Sequence, residues 1–172
     1  LDFPPPAYVG DILNAPIIIL DNNGGYDPRM TPAEFPDMQA QDEYRSMLAE
    51  PRPFKREARS ASPYYLSRNY THLLTSGAAA LVNGLAYRSI DGKSSRVVEL
   101  TKVLPSARFH QNWLRQALFP LVEQGERFLV IHRWARWNGS TDIYRGHPRA
   151  VFSTAPVSKD LTRQEMAAAV VF

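Results

Sequence analysis

The sequence predicts an α/β protein, a three-layer α/β/α sandwich built on a four-stranded parallel sheet. The first observation is a set of four short runs: "APIIIL" (15–20), "AAALVNGLA" (78–86), "RFLVIHRW" (127–134) and "RAVFST" (149–154). Each is apolar or β-branched without strict alternation and is bounded by Gly, Pro or Asn, as strands covered on both faces are. The second is "PSARFHQNWLRQALFPLVEQG" (105–125), in which Phe109, Trp113, Ala117 and Leu121 recur every four residues beside Leu114, Leu118 and Val122. That spacing makes one amphipathic helix. The third is the order of the elements: strand, helix, strand is the pattern of a parallel crossover.

Local signals set the boundaries. Ser106 after Pro105 is the expected N-cap of the long helix, Gly125 its stop, and Pro120 a kink or early end in its last turn. The segment 29–76 is long, charged and rich in proline. It is expected to be helical in pieces, with a capping box at Thr31 and Glu34 and a short helix in "SRNYTHLL". So long an insertion after the first strand points to a functional role. The tail "DLTRQEMAAAVVF" reads as a final helix capped by Asp160 or Thr162.

Composition narrows the chemistry. A chain of 172 residues with 44% hydrophobic residues fits one domain with a sizeable core. The absence of cysteine removes disulfides, thiolate metal sites and iron–sulfur clusters, and makes the cytoplasm the default location. No apolar run reaches the ~20 residues of a membrane helix, and "LDFPPPAYVG" lacks the order of a signal peptide. Charge is uneven: residues 1–50 carry −7 and the remainder +10, and 16 of the 20 basic residues are arginine. A basic face rich in arginine suits a polyanion, although a GC-rich genome inflates arginine with no ligand involved. No His and carboxylate spacing suggests a metal site.

Ligands of parallel α/β sheets bind beyond the carboxyl ends of the strands, so the residues leaving each run are the candidates. They are "NNGGYDP" (22–28), "NGLAYRS" (83–89), "HRWARWN" (132–138) and "STAPVS" (153–158). Asn-Asn-Gly-Gly reads equally well as a simple turn, and Asn83 as a residue satisfying nearby backbone. His132 reads as a hydrogen-bonded core or rim residue and His147 as a strand-entry residue. "RPFKREARS" (52–60) sets Arg52, Lys55, Arg56 and Arg59 around Phe54, with Arg68, Tyr64 and Tyr65 following, an interleaving that suits a nucleic-acid backbone or a plain solvated loop.

These strand-end segments resemble those of the uracil-DNA glycosylase superfamily, whose members run a four-stranded parallel sheet with functional segments at the same places. "NGGYDP" looks like the first motif, "ALVNGL" like the second strand with its base-reading asparagine, and "AVFSTAPVSKDLT" like the last strand and its loop. Ala155 stands where that loop carries a histidine. "LAYRS", "LPSARFHQNWLRQAL" and "VIHRWARW" are also similar to an uncharacterised bacterial group with an Asn-Pro-Gly-Tyr segment, which brings no activity with it. The resemblance implies a nucleic-acid-binding protein that holds DNA or another nucleobase-containing ligand and hydrolyses the N-glycosidic bond of a deaminated base without a cofactor. Asn23 and Asp27 would orient water, Gly25, Tyr26 and Asn83 would hold and read the base, and Ser153, Thr154 and Ser158 would meet phosphate or the leaving anion. Arg88, Arg133, Arg136 and Arg56 would contact nucleic acid. Loss of the histidine removes a donor worth ~3–4 kcal/mol to a developing anion. Two other readings follow: a non-catalytic nucleic-acid or partner-binding domain, and a small-molecule enzyme acting on a nucleotide.

Overall fold

The computed structural model describes residues 3–90, 94–156 and 158–172. In chain order the strands are β1 (Tyr8–Val9), β2 (Ile17–Gly25), β3 (Ala79–Ser89), β4 (Phe128–Ile131) and β5 (Ala150–Phe152). The helices are α1 (Met30–Glu34), α2 (Met38–Ala49), α3 (Pro63–Leu66), α4 (Thr71–Ser76), α5 (Ser95–Val103), α6 (Pro105–Trp113), α7 (Phe119–Glu123) and α8 (Arg163–Val171). The sheet is five-stranded and mixed, in the order β1-β3-β2-β4-β5. Strands β2 to β5 pair in parallel, and β1 adds antiparallel to β3 through Tyr8 opposite Val82 and Val9 opposite Leu81. The all-parallel, four-stranded expectation is therefore corrected: the proline-rich N-terminal region supplies a fifth strand, too short to leave a periodic signal.

The unbroken apolar runs are explained by a core on each face of the sheet. Ile17, Ile19, Leu81 and Val130 pack with Tyr70, Leu73, Leu74 and Ala169, which come from around α4 and from α8. Ile18, Leu20, Val82, Leu129 and Ile131 pack with Leu114, Leu118, Val122 and Trp137. Adjacent residues of one strand thus serve opposite cores, so both must be apolar.

The central strands are longer than expected. β2 continues through "DNNGG" to Gly25, so Asn22 and Asn23 are strand residues and not a turn, and its pairing with β3 shifts register between Asn23 and Gly25. Helix ends also differ. The capping box at Thr31 and Glu34 does not form: Asp27 Oδ1 accepts the N–H groups of Arg29 and Met30 (2.8 and 2.9 Å), while Glu34 is drawn into an ion pair with Arg88. Ser106 does not cap α6, which opens on Leu104 and Pro105. The long helix is interrupted by a π turn at Leu114–Leu118, where the Phe119 N–H reaches Leu114. Widening the helix one turn before Pro120 accommodates a residue that has no N–H to give.

Of the two expected caps of α8, Asp160 and Thr162, it is Thr162 that serves, and reciprocally: its side chain accepts from the Glu165 N–H while Glu165 Oε2 accepts from the Thr162 N–H (3.2 and 2.7 Å). Thr162→Ala is expected to lower unfolding stability by about 1 kcal/mol in urea titration. No helix among the described residues is long and apolar enough to cross a membrane.

Candidate functional site

The insertion between β2 and β3 folds over the carboxyl edge of the sheet and walls a pocket of about 320 Å³. The end of β2 and the loop after it supply Gly24, Gly25, Tyr26 and Asp27, α1 supplies Glu34, and β3 supplies Arg88. Tyr64 and Tyr65 of α3, Arg68 beyond it and Lys159 ahead of α8 complete the wall. A volume near 300 Å³ is at the lower end of small-molecule sites.

Two of the pocket's arginines lie against aromatic rings. Tyr64 and Tyr65 meet edge to face with centroids 5.2 Å apart, and the Arg68 guanidinium lies 4.8 Å from the Tyr64 centroid. Arg88 lies 5.1 Å from the Phe35 ring, which stacks on Phe3 at 5.6 Å. Burial pushes the Tyr64 hydroxyl up to about 12, so it remains a neutral donor at physiological pH. Burial also raises the Glu34 carboxyl, against the opposing pull of Arg88 Nη2 at 3.2 Å. Asp27 is held below the usual carboxylate range by the backbone N–H groups of Met30 and Arg29, so it stays ionised at the pocket mouth.

Of the residues expected from sequence, Gly25, Tyr26, Asp27 and Arg88 do meet in this pocket. The others lie elsewhere. Asn23 lines a separate cleft with Leu85, Tyr87, Val97, Leu100 and Leu104; its Nδ2 donates to Ser89 Oγ at 2.7 Å. Asn83 is 1% exposed, and its Nδ2 donates to the Pro6 carbonyl at 2.7 Å, so the segment leading into β1 takes the donor expected to read a base. Its own carbonyl meets His110 Nδ1 at 2.6 Å.

In the loop after β5, the Ser153 and Ser158 hydroxyls bond main chain of nearby residues. Ser153 Oγ accepts from the Ala155 N–H at 3.2 Å, and Ser158 Oγ bonds Asp160 main chain, donating to its carbonyl at 2.7 Å. Thr154 is exposed, and residue 157 of this loop lies outside the described residues. The Ser158 carbonyl is gripped by Arg133 Nη2 at 2.7 Å and His132 Nε2 at 3.0 Å. Arg133 also reaches Asp21 at 3.4 Å, Arg136 Nε donates to Asn22 Oδ1, and Arg56 lies exposed on the loop before α3. Phe54 and Tyr65 of the basic stretch turn inward as core, while Arg59 pairs with Asp37. That stretch is therefore not a continuous row of unstacked rings and free cations.

His132 is the buried, hydrogen-bonded residue expected, with Nδ1 2.7 Å from Glu165. His147 accepts the Arg149 N–H at 3.1 Å just before β5. Among the described residues no three His, Asp or Glu side chains gather as a metal site.

Sequence reasoning missed Glu34, Arg68 and Lys159 as pocket residues. The Tyr-Tyr doublet followed by Arg68 was visible, but nothing local says that a segment forty residues after β2 returns to its end. No family model, curated protein or solved structure matches this chain.

Proposed function

We propose that the protein binds nucleic acid by holding one unstacked nucleotide in the carboxyl-edge pocket, as a divergent relative of the uracil-DNA glycosylase sandwich. The observation that carries this reading is the pocket wall itself, where Tyr26 and Tyr64 stand among Arg68, Arg88 and Lys159. Rings of this kind stack on a base, and the cations meet its phosphate. The parallel run of β2 to β5, with the pocket beyond its carboxyl ends, supports the resemblance in sequence.

Hydrolysis of the glycosidic bond is the second reading, favoured by Asp27. Its Oδ1 is fixed by two backbone donors, and its carboxylate is ionised beside Tyr26. Such a group can orient water toward a sugar, while Arg68, Arg88 or Lys159 offsets charge on the departing base.

Equilibrium titration with deoxynucleotides and short single-stranded oligonucleotides tests the binding reading. Tyr64→Ala and Arg68→Ala are each expected to weaken binding about tenfold, in line with ~1–3 kcal/mol per stacked base. Affinity for oligonucleotides is expected to fall steeply between low and moderate salt. Unchanged affinity in both variants defeats the assignment of the pocket. Release of uracil from a uracil-containing oligonucleotide, abolished in Asp27→Asn, would establish catalysis.

A further inference from the structure

We infer that Lys159 is the pocket cation that meets phosphate, so that the site takes a nucleotide unit bearing a single phosphate and not a di- or triphosphate. This rests on the reading of the pocket given above. The cations that line that pocket are Arg68, Arg88 and Lys159. Both arginines are already neutralised: Arg88 Nη2 lies 3.2 Å from Glu34 Oε1, and Arg68 Nη1 lies 3.6 Å from Asp160 Oδ1. Lys159 is exposed, and among the described residues its side chain has no ion pair and no hydrogen bond.

The arginines are held by the protein itself. The Glu34 side chain is 5% exposed, so drawing Arg88 toward a ligand would leave a buried carboxylate uncompensated. Arg88 Nη1 also donates to the Gly25 carbonyl at 3.2 Å. Arg68 commits its remaining donors nearby: Nε donates to the Tyr64 carbonyl at 2.9 Å and Nη2 to Ser67 Oγ at 2.7 Å. With its guanidinium carbon 4.8 Å from the Tyr64 centroid, Arg68 positions that ring for a base.

Lys159 is presented from a fixed backbone. On one side, the Ser158 carbonyl is held by Arg133 Nη2 at 2.7 Å and His132 Nε2 at 3.0 Å. On the other, the Asp160 N–H donates to Ser158 Oγ at 3.1 Å, and Asp160 Oδ1 accepts the Asn69 N–H at 3.0 Å. Only the lysine side chain is left for a ligand to order, which limits the entropy lost on binding. A phosphate monoester carries ~1.5–2 negative charges at neutral pH, which a lone ammonium offsets in large part. A second or third phosphate would find no other unpaired cation among the described pocket residues. It would face instead the carboxylate of Asp27, ionised at the pocket mouth, and like charges repel.

Calorimetric titration of the full chain at fixed ionic strength compares deoxyuridine, its monophosphate and its triphosphate, on the parent and on Lys159→Gln, Lys159→Arg and Tyr64→Ala. The parent is expected to bind the monophosphate about tenfold more tightly than deoxyuridine, as one charge-assisted hydrogen bond allows, and the triphosphate no more tightly still. Lys159→Gln, at an exposed site, is expected to bind monophosphate and nucleoside equally, and Lys159→Arg to restore the difference. A short oligodeoxyuridylate that binds more tightly than the monophosphate, with the same loss in Lys159→Gln, places the phosphate within a strand; weaker binding places it on a free nucleotide. If the parent shows no preference for the monophosphate, if Lys159→Gln keeps that preference, or if the triphosphate binds more tightly than the monophosphate, the assignment of Lys159 is refuted. The pocket then still stands where Tyr64→Ala weakens every ligand. If no ligand binds the parent, or if Tyr64→Ala binds them all like the parent, the pocket reading fails as well.

Discussion

Glu165→Ala is expected to destabilise the protein by about 2–4 kcal/mol, because it takes the acceptor from a buried, hydrogen-bonded imidazole, which must then give up its proton, and removes the reciprocal cap of α8. The His132 and Glu165 side chains are 3% and 1% exposed, and Nδ1 and Oε1 are 2.7 Å apart. His132 Nε2 meets a second acceptor, the Ser158 carbonyl, at 3.0 Å. With an acceptor at each nitrogen, only the doubly protonated ring satisfies both. Burial works against that charge, but the bonds to Glu165 and Ser158 outweigh it and raise the His132 pKa. Burial likewise opposes ionisation of Glu165, and the bonds from His132 and Thr162 overcome it and lower the pKa.

The sign of the pH dependence follows. The elevated His132 contributes its full stabilisation below its ordinary value of 6.5 and loses it as pH rises through the higher folded value. The depressed Glu165 contributes fully above its ordinary value of 4.5 and loses it as pH falls through the lower folded one. The pair is therefore worth most between those two pH values. Urea midpoints across pH 4 to 9, compared with those of His132→Gln, measure the effect. An alkaline decline that persists unchanged in His132→Gln assigns it to another group.

Asn83→Asp is expected to be comparably severe at neutral pH, about 3–5 kcal/mol, and to recover on acidification. Asn83 Nδ2 donates to the Pro6 carbonyl at 2.7 Å in a site 1% exposed. A carboxylate there would face that carbonyl with no donor of its own and no cation among its hydrogen-bond partners. Burial and the opposed carbonyl would raise its pKa. The penalty would then be complete above the raised folded value and would disappear as pH falls toward ~4, the ordinary aspartate range. Denaturation at pH 7 and pH 5 separates two roles for this residue. A variant as stable as the parent but deficient in ligand binding would restore Asn83 to the task of reading a base. A variant unstable at pH 7 and rescued at pH 5 identifies it as the anchor of the N-terminal strand.

Asn83 also shows where sequence stops being sufficient. An amide within an apolar strand must find partners, and that much is legible. Which partners depends on Pro6, 77 positions away, just ahead of a strand, β1, of only two residues. The sheet's central strands were legible because each residue of 17–20 and of β4 faces one core or the other and must be apolar. Their ends were not. Asn22, Asn23, Gly24 and Gly25 have turn chemistry, and pairing with β3 extends β2 through them regardless.

The long helix was legible as a face of Phe, Trp and Leu, whereas the π turn ahead of Pro120 is a backbone adjustment that periodicity does not encode. In the site, Tyr26, Asp27 and Arg88 could be placed because they leave strands whose direction the sequence gives away. Glu34, Arg68 and Lys159 could not, because the course of the insertion across the sheet is decided by tertiary contacts.

The sheet ends in strands of two and three residues, β1 and β5, while its longest strands, of nine and eleven, lie inside. Stubs of that length offer a neighbouring molecule little backbone to zip onto. Peeling away Tyr8 and Val9 would bare the outer side of β3 at Leu81 and Val82, in the middle of an apolar run. Clumping on heating is therefore expected to begin with release of Tyr8 and Val9, before the interior melts.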